Sequence, residues 1–184
     1  MLEVNNHPFP VLETERLILR QKTEADAPEL FDLRSNKRVL QYLDRDPPGT
    51  VEEIVALIQT INADVENGNA VAWAITVKGD PKLVGSVAFW RMQKAHFRAE
   101  LGYLLHPDFH RQGIMDEALK AVIRYGFEVM GLHSMEANVN PANAASIGLL
   151  EKNGFKKEAH FTENYYAKGK FLDSAIYSLV LGWG

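Results

Sequence analysis

The sequence predicts a single α/β domain (α+β in stricter schemes), with helices on both faces of a mixed, mostly antiparallel sheet. The chain has 184 residues, which is a typical length for one domain, so we expect one domain over residues 1–184. Strand-like alternation and helix-like periodicity follow one another in the order β-α-α-β-β-β-α-β-α-β-β. Turn residues separate the three consecutive strands in the middle, and this spacing favours antiparallel hairpins.

The first third of the chain is predicted to form a strand and two helices. Residues 1–10 are expected to be a loose lead-in, and the alternation of residues 16–20 (RLILR) predicts a strand. A helix is expected at residues 24–35. The second helix begins with a capping-box pattern at residues 50–53 and ends at the Asn-Gly pair of residues 67–68.

The rest of the chain is predicted to contain three strands, a long helix, a single strand, a second helix and a closing hairpin. Asn140 is predicted to cap the second of these helices, with Pro141 at its first position, and Gly154 suits its C-terminal end. The other predicted ranges are 71–78, 83–90 and 97–105 for the three strands, 113–130 for the long helix, 134–139 for the single strand, and 155–161 with 171–181 for the hairpin.

The composition excludes several classes of function. The chain has no cysteine, which excludes disulfides, zinc–thiolate sites, iron–sulfur clusters and a cysteine nucleophile, and which fits a reducing compartment. A net charge of −4 and a pI of about 5.9 give no reason to expect nucleic-acid binding. The apolar runs are too short to cross a membrane and the N-terminus does not read as a secretory signal, so a cytoplasmic protein is expected.

The junction between a strand and a helix in residues 100–119 is the most informative segment. The N-terminus of a helix exposes unpaired N–H groups and the positive end of the helix dipole, and phosphates bind there. Gly113 allows a ligand to approach the backbone closely, and Arg111 adds a positive charge. These features predict a binding site for a pyrophosphate. An ordinary strand–helix turn that happens to carry Gly and Arg is the alternative. The segment lacks both the dinucleotide-binding fingerprint and the P-loop pattern.

Five motifs in order resemble one known family. They are residues 14–17 (TERL), 100–103 (ELGY), 106–118 (HPDFHRQGIMDEA), 140–155 (NPANAASIGLLEKNGF) and 173–177 (DSAIY). Together they cover nearly the whole chain and resemble the GNAT acetyltransferases, most closely the RimJ/RimL-type branch. That branch acetylates protein N-termini, including those of ribosomal proteins.

Two positions depart from the family pattern. His110 stands where the family usually has Gln or Arg, and Met115 replaces a small residue. Met115 either narrows the space beside the pyrophosphate or packs inward, because it shares a helix face with Leu119. The retained Gly113 and the backbone N–H groups lead us to expect that binding survives.

The resemblance implies where acetyl-CoA would bind. It implies a splay between two central strands, with acetyl-CoA in the gap and backbone groups around Leu104 and Leu105 paired with the pantetheine arm. It places Asn143 and Ser146 near the thiol end. The pyrophosphate would be held by the amides of Arg111, Gln112, Gly113, Ile114, Met115 and Asp116. The six histidines show no metal-site spacing, so no metal is expected.

The resemblance also implies direct attack of an amine on the thioester in a ternary complex. Glu100 is the first candidate for the general base, and a solvent-facing or salt-bridged strand residue is its alternative. Ser146 is the candidate proton donor to the thiol, unless its hydroxyl bonds the carbonyl one turn back. Tyr103 could replace it as the acid, and Glu163 is a lower-ranked candidate for binding the substrate amine.

The acceptor is the least determined feature. The expected acceptor is a protein N-terminal α-amine, with a ribosomal protein as the model case. The alternatives are a small amine (polyamine, amino acid or aminoglycoside) and a CoA-binding sensor without turnover. The sequence leaves open whether the protein is a monomer or a homodimer.

A few further residues receive ordinary structural interpretations. Glu117 is expected to stabilise the first turn of its helix through the dipole. His106 and His133 are expected to be structural, and Lys168 and Lys170 to form a solvated turn.

Overall fold

Eight strands form a single sheet. They are Leu12–Glu13 (β1), Leu17–Gln21 (β2), Val71–Val77 (β3), Leu83–Gln93 (β4), Arg98–Leu105 (β5), Ser134–Val139 (β6), Lys156–Ala167 (β7) and Lys170–Val180 (β8). In this computed structural model, which describes residues 1–182, their order is β1-β2-β3-β4-β5-β6-β8-β7. Only β5 and β6 pair in parallel; the other neighbours are antiparallel. The predicted mixed, mostly antiparallel sheet is confirmed.

Five helices cover the two faces of the sheet. They are Ala27–Ser35 (α1), Lys37–Leu40 (α2), Val51–Glu66 (α3), Ile114–Glu128 (α4) and Ala144–Lys152 (α5). Ala74 of β3 packs in one cluster with α1 and α3, whereas its neighbours Trp73 and Ile75 pack in another with α4 and with Leu150 of α5. Successive strand residues point to opposite faces, so α1 and α3 lie on one face and α4 and α5 on the other.

The predicted start of the fifth helix is wrong by three residues. Asn140 closes a turn, in which its side-chain oxygen accepts from the Ala142 N–H at 2.9 Å. Asn143 is the helix cap, and its oxygen accepts from the Ser146 N–H at 3.1 Å. The chain makes one extra turn because the Asn140 carbonyl accepts from the Asn143 N–H, so Pro141 lies before the helix.

The N-terminal segment is not the loose lead-in that the sequence suggested. Residues 1–10 contain no helix or strand, but Leu2 is buried in the main core and its N–H donates to the Lys94 carbonyl at 2.9 Å. The buried side chain of Asn6 donates to the carbonyls of Val65 and Ala70. These contacts tie the segment to the ends of α3 and β3.

Strands β5 and β6 separate after a short paired stretch. The pairs are Arg98↔Ser134, Ala99↔Met135 and Glu100↔Glu136, and no pairing continues beyond them. The remaining residues of β5, 101–105, pair only with β4. A gap therefore opens between the two central strands at Glu100, as the family resemblance implied.

Two kinds of feature are absent from residues 1–182. No helix there is both long enough and apolar enough to cross a membrane. No group of three or more His, Asp or Glu side chains is arranged there to hold a metal ion.

Candidate active site

The gap beside β5 is lined from both faces of the sheet. Leu104 packs against the cluster formed by α1 and α3, so Glu100, which has the same parity, faces that side. Tyr103 and Leu105 pack against the cluster that contains α4. Glu100 and Tyr103 are three residues apart, or roughly 10 Å along a strand. The candidate base and the candidate acid thus approach the gap from opposite faces.

Tyr103 and Ser146 are brought together across the gap. Their hydroxyl oxygens lie 2.7 Å apart, and either group can donate. Burial raises the pKa of Tyr103 to about 12, an effect that the hydrogen bond with Ser146 opposes. Tyr103 therefore stays protonated over the working pH range of most enzymes. Ser146 does not bond the carbonyl one turn back; its hydroxyl faces the strand.

Asn143 holds the N-terminus of α5 in place beside this pair. Its side-chain oxygen is occupied by the Ser146 N–H, as described above. Its side-chain N–H₂ group makes no hydrogen bond within the described part of the chain. Of its polar atoms, the nitrogen is therefore the one available to a ligand in the gap.

Glu100 is buried and ion-paired. It is 8% exposed, and its Oε2 accepts from Arg91 Nη1 at 3.2 Å. The Arg91 guanidinium also lies 4.3 Å from the centre of the Trp90 ring, a cation–π contact. The backbone of Arg91 has a φ of +44°, in the left-handed region that non-glycine residues rarely adopt. Arg91 thus occupies one oxygen of Glu100, and Oε1 makes no hydrogen bond within residues 1–182.

The loop before α4 contains the residues predicted to bind a pyrophosphate, and it leads into a helix start without a side-chain cap. Arg111 and Gly113 have φ values of +60° and +76°, and Gly113 is the N-cap of α4 with no side-chain cap. The Glu117 N–H makes the first helical bond, to the Gly113 carbonyl, so the N–H groups of residues 114–116 have no acceptor in the helix. Arg111 and Gln112 are exposed beside them. Free N–H groups and the helix dipole together favour a phosphate here.

Hydrogen bonds between Glu117 and Arg16, here called the clamp, hold the loop before α4 against the edge of the sheet. The sequence did not predict them. Glu117 accepts from the Thr14 hydroxyl, from the Arg16 N–H and, at 2.6 Å, from Arg16 Nε. Arg16 also donates to the Gln112 carbonyl at 2.9 Å. Burial alone would raise the pKa of Glu117, but these hydrogen bonds outweigh it and lower that pKa. Thr14 and Arg16 belong to the first family motif, which was the available signal.

Met115 packs inward. Its side chain is 6% exposed and lies in the main core with Ile114 and Leu119. Ile114 and Met115 can therefore contact a ligand at the helix start through their backbone N–H groups but not through their side chains. Of the two alternatives for Met115, the structure supports packing in the core.

Asp116 joins the start of α4 to the end of α5. Its carboxylate accepts from Lys120 at 2.9 Å, from Lys152 at 2.8 Å and from Asn153 at 3.0 Å. The bond from Lys152 is the largest of the effects that lower the pKa of Asp116 to about 2. The side chain of Asp116 is thus committed to the contact between α4 and α5, and its backbone N–H is one of the three without an acceptor in the helix.

The two leucines at the end of β5 have different backbone roles. The Leu104 carbonyl points at Gly85 of β4, where an added Cβ would lie 2.7 Å from it. Because strand hydrogen bonds alternate in direction, the backbone groups of Tyr103 and Leu105 face the gap. His110 Nε2 lies 3.0 Å from the Leu105 carbonyl. Of the two backbone groups of Leu105, the N–H is therefore the one left open to a ligand.

Glu163 is not brought to this site. It is exposed in an irregular part of the β7–β8 hairpin, where its N–H donates to Asp173 at 2.8 Å. Lys168 lies in the exposed turn that was expected, and its ammonium also donates to the carbonyls of Leu40 and Leu43. The tip of the hairpin is therefore fastened to the end of α2.

Comparison with known proteins agrees with this geometry. Residues 16–156 match the model of the acetyltransferase (GNAT) domain. The chain is 37% identical to the uncharacterized N-acetyltransferase YoaA of Bacillus subtilis, over 94% of this chain and 97% of that protein. It is 28% identical to the [ribosomal protein uS5]-alanine N-acetyltransferase of Escherichia coli, over 95% and 93% of the two chains.

A solved structure shows the same fold. A putative ribosomal-protein-serine acetyltransferase from Vibrio cholerae superposes with a TM-score of 0.81 at 27% identity, covering 94% of this chain and 98% of that one. The matched region contains the gap beside β5, the loop before α4 and the Tyr103–Ser146 contact. The chain belongs to the GNAT acetyltransferase family and is an N-acetyltransferase.

Proposed function

We propose that the chain transfers an acetyl group from acetyl-CoA to the α-amine of a protein N-terminus, by direct attack in a ternary complex. One observation carries the proposal. The gap beside β5 is flanked by a buried carboxylate, Glu100, on one face and by the joined hydroxyls of Tyr103 and Ser146 on the other. Amine attack on a thioester needs a base on one side and a proton donor on the other.

The residues present fit acetyl-CoA. The uncapped start of α4 offers the N–H groups of residues 114–116 to a pyrophosphate, and Gly113 has no Cβ to obstruct it. The Leu105 N–H and the Asn143 amide nitrogen face the gap with free hydrogen-bonding capacity. When bound there, acetyl-CoA supplies the reactive thioester.

Glu100 is proposed to accept the proton of the acceptor amine. An α-amine has a pKa near 8, so roughly a tenth of it is neutral at pH 7, against well under ~0.1% of a lysine side chain. A protein N-terminus therefore needs only modest help. Glu100 Oε1 can provide this help directly or through a water, while Arg91 keeps the other oxygen occupied.

Tyr103 is proposed to hold the proton that the departing thiolate requires. A free thiol has a pKa near 8.5, well below the value of about 12 for Tyr103, so Tyr103 remains a donor at neutral pH. Ser146 shares a hydrogen bond with the Tyr103 hydroxyl and fixes its direction. The absence of cysteine fits a direct route, because no Cys-bound acetyl intermediate is available.

The choice of acceptor rests on the activities of two relatives. The Escherichia coli relative acetylates an alanine of ribosomal protein uS5. The Vibrio cholerae structure is that of a putative ribosomal-protein-serine acetyltransferase. Alanine has no amine in its side chain, so N-acetylation of an alanine acts on an α-amine. A ribosomal acceptor would place this chain in the cytoplasm.

An acceptor screen tests the proposal. The purified chain is incubated with acetyl-CoA and either N-terminal peptides beginning with Ser or Ala, polyamines, amino acids or aminoglycosides, and CoA release is followed. We expect release with the peptides and little with the other amines. Turnover confined to a polyamine or an aminoglycoside would overturn the choice of acceptor. Binding of acetyl-CoA without turnover on any amine would leave a CoA-binding module.

A further inference from the structure

Two arginines on the acceptor side of the sheet form no ion pair with a described carboxylate. Arg34, in the last turn of α1, is half-buried, and Arg45 lies in the exposed segment between α2 and α3. Neither guanidinium makes a hydrogen bond or an ion pair within residues 1–182. A half-buried arginine usually has a carboxylate or carbonyl partner, because its donors lose water.

The position of α1 places Arg34 on the face from which an acceptor would approach Glu100. Leu33, the neighbour of Arg34, packs in the cluster that contains Ala74 and that contacts Leu104. Asp32 of the same helix lies 3.1 Å from His106, immediately after the end of β5. Helix α1 therefore runs along the same side of β5 as Glu100.

The charges around Arg34 are mainly positive. Burial and, to a smaller extent, the charge of Arg45 together lower the pKa of Arg34 to about 10. The buried ammonium of Lys22 is also close enough to interact with Arg34. The nearby carboxylate of Asp26 is taken by a bidentate pair with Arg20, at 2.7 and 2.8 Å.

Arg45 opens onto a surface cavity of about 370 Å³. The cavity is closed on one side by the hairpin tip that Lys168 fastens to the end of α2. Asp44 and Asp46 share its wall, but neither forms an ion pair with Arg45. The carboxylate of Asp44 offsets part of the effect of burial on Arg45, whereas no carboxylate does so for Arg34. Arg34 is thus the stronger candidate for binding an acidic group, and Arg45 lies nearer the surface.

We propose that Arg34, assisted by Arg45, binds a carboxylate of the acceptor, so that the preferred substrate is an acidic N-terminal peptide. This inference rests on the proposed function and names the class of acceptor. A guanidinium offers paired donors that match a carboxylate. An extended peptide advances about 3.3–3.6 Å per residue, so an Asp or Glu within the first few residues can extend from the gap toward α1. A polyamine, which carries several positive charges, would be repelled by this cluster.

The test uses matched peptides that begin with Ser and carry a single Asp, or the isosteric Asn, at position 2, 3 or 4. Steady-state kcat and KM are measured with saturating acetyl-CoA. At one position or more, we expect kcat/KM to be about tenfold higher for the Asp peptide, mainly through a lower KM. Arg34→Gln should remove the difference and leave kcat/KM for the Asn peptide within twofold. Arg34→Lys should retain part of the preference.

Controls separate loss of the site from loss of the fold. Arg124→Gln, on the exposed side of α4 across the sheet, should keep the full preference for Asp. An unchanged thermal shift with acetyl-CoA shows that Arg34→Gln is folded. Equal kcat/KM for Asp and Asn peptides at all three positions in the native chain would overturn the inference while the proposed function stands.

A free amino acid could present the same carboxylate, so glutamate is included as an acceptor. Acetylation of glutamate that depends on Arg34, with no turnover of any peptide, would support the carboxylate site and overturn the peptide acceptor. Turnover of neither peptides nor glutamate would overturn both. The two failures are therefore distinguishable.

Discussion

The hydroxyls of Tyr103 and Ser146 lie 2.7 Å apart where strand β5 no longer pairs with β6. The contact joins a strand residue to the first turn of α5, which is capped by Asn143. It spans 43 positions of the chain, so the fold as a whole brings the two groups together. Because both can donate or accept, a proton can be passed between them without movement of the backbone.

Tyr103→Phe should lower kcat by about 10²-fold, a typical loss when a general acid is removed. The dissociation constant for acetyl-CoA should change little, because the ring remains. Since burial holds the pKa of Tyr103 at about 12, the loss should be the same from pH 6 to pH 9. Pre-steady-state and steady-state rates, measured across this pH range for the variant and the native chain, check the predicted loss. Tyr125→Phe, which removes a hydroxyl from α4, serves as the matched control, and an equal loss there would remove Tyr103 from the chemistry.

Glu100→Gln should lower kcat at pH 7 by about tenfold or more, and should cost less at pH 9. The reason is that an α-amine with a pKa near 8 is already mostly neutral at the higher pH. The pH profile of kcat in the variant and the native chain is the measurement. Glu136→Gln, which removes the carboxylate in register with Glu100 on β6, should show no such pH dependence. A loss from Glu100→Gln that is independent of pH would make Glu100 a structural partner of Arg91.

Met115→Ala should destabilise the fold without strengthening acetyl-CoA binding. The side chain is buried among Ile114 and Leu119, so its truncation should cost about 2–5 kcal/mol of unfolding free energy. Urea denaturation and calorimetric titration with acetyl-CoA measure the two quantities. If the variant were as stable as the native chain and bound acetyl-CoA more tightly, Met115 would be crowding the ligand.

Lys22 makes stability depend on pH. Burial lowers its pKa to about 7, against about 10.4 in an unfolded chain, while its ammonium donates to the Trp73 carbonyl. Between those two values the unfolded state binds more protons, so the unfolding free energy should rise with pH, by about 1 kcal/mol per unit. Urea denaturation at pH 7, 8 and 9 checks this. Lys22→Met should lack the increase, whereas the exposed control Lys170→Met should retain it; parallel curves would contradict the effect.

Local patterns were sufficient to predict most of the fold. The range of β6 matches its prediction residue for residue, and the inward position of Met115 agrees with its spacing from Leu119. The start of α5 was misplaced because Asn140 and Asn143 are both good caps, and local sequence does not choose between them. Backbone contacts of the Asn140 turn decide in favour of Asn143.

The site was harder to predict because its contacts are long-range. Strand β5 continues for five mostly apolar residues, 101–105, beyond its pairing with β6, and local sequence does not show that they lack a partner on that side, so the gap came only from the family resemblance. The clamp between Arg16 and Glu117 spans 101 positions, and neither residue has a local signal for it. Glu100 pairs with Arg91 at a point where the backbone of Arg91 has a positive φ, and no sequence pattern indicates either feature.

The most direct test of the central claim locates the acetyl group on a product peptide. A peptide that begins with Ser and contains one internal lysine is incubated with the chain and acetyl-CoA, and fragment masses identify the modified amine. The account predicts one acetyl group on the α-amine, with CoA released in equal amount, and neither above background with the Glu100→Gln/Tyr103→Phe double variant. Acetylation of the lysine alone, or equal product from the double variant, would contradict it.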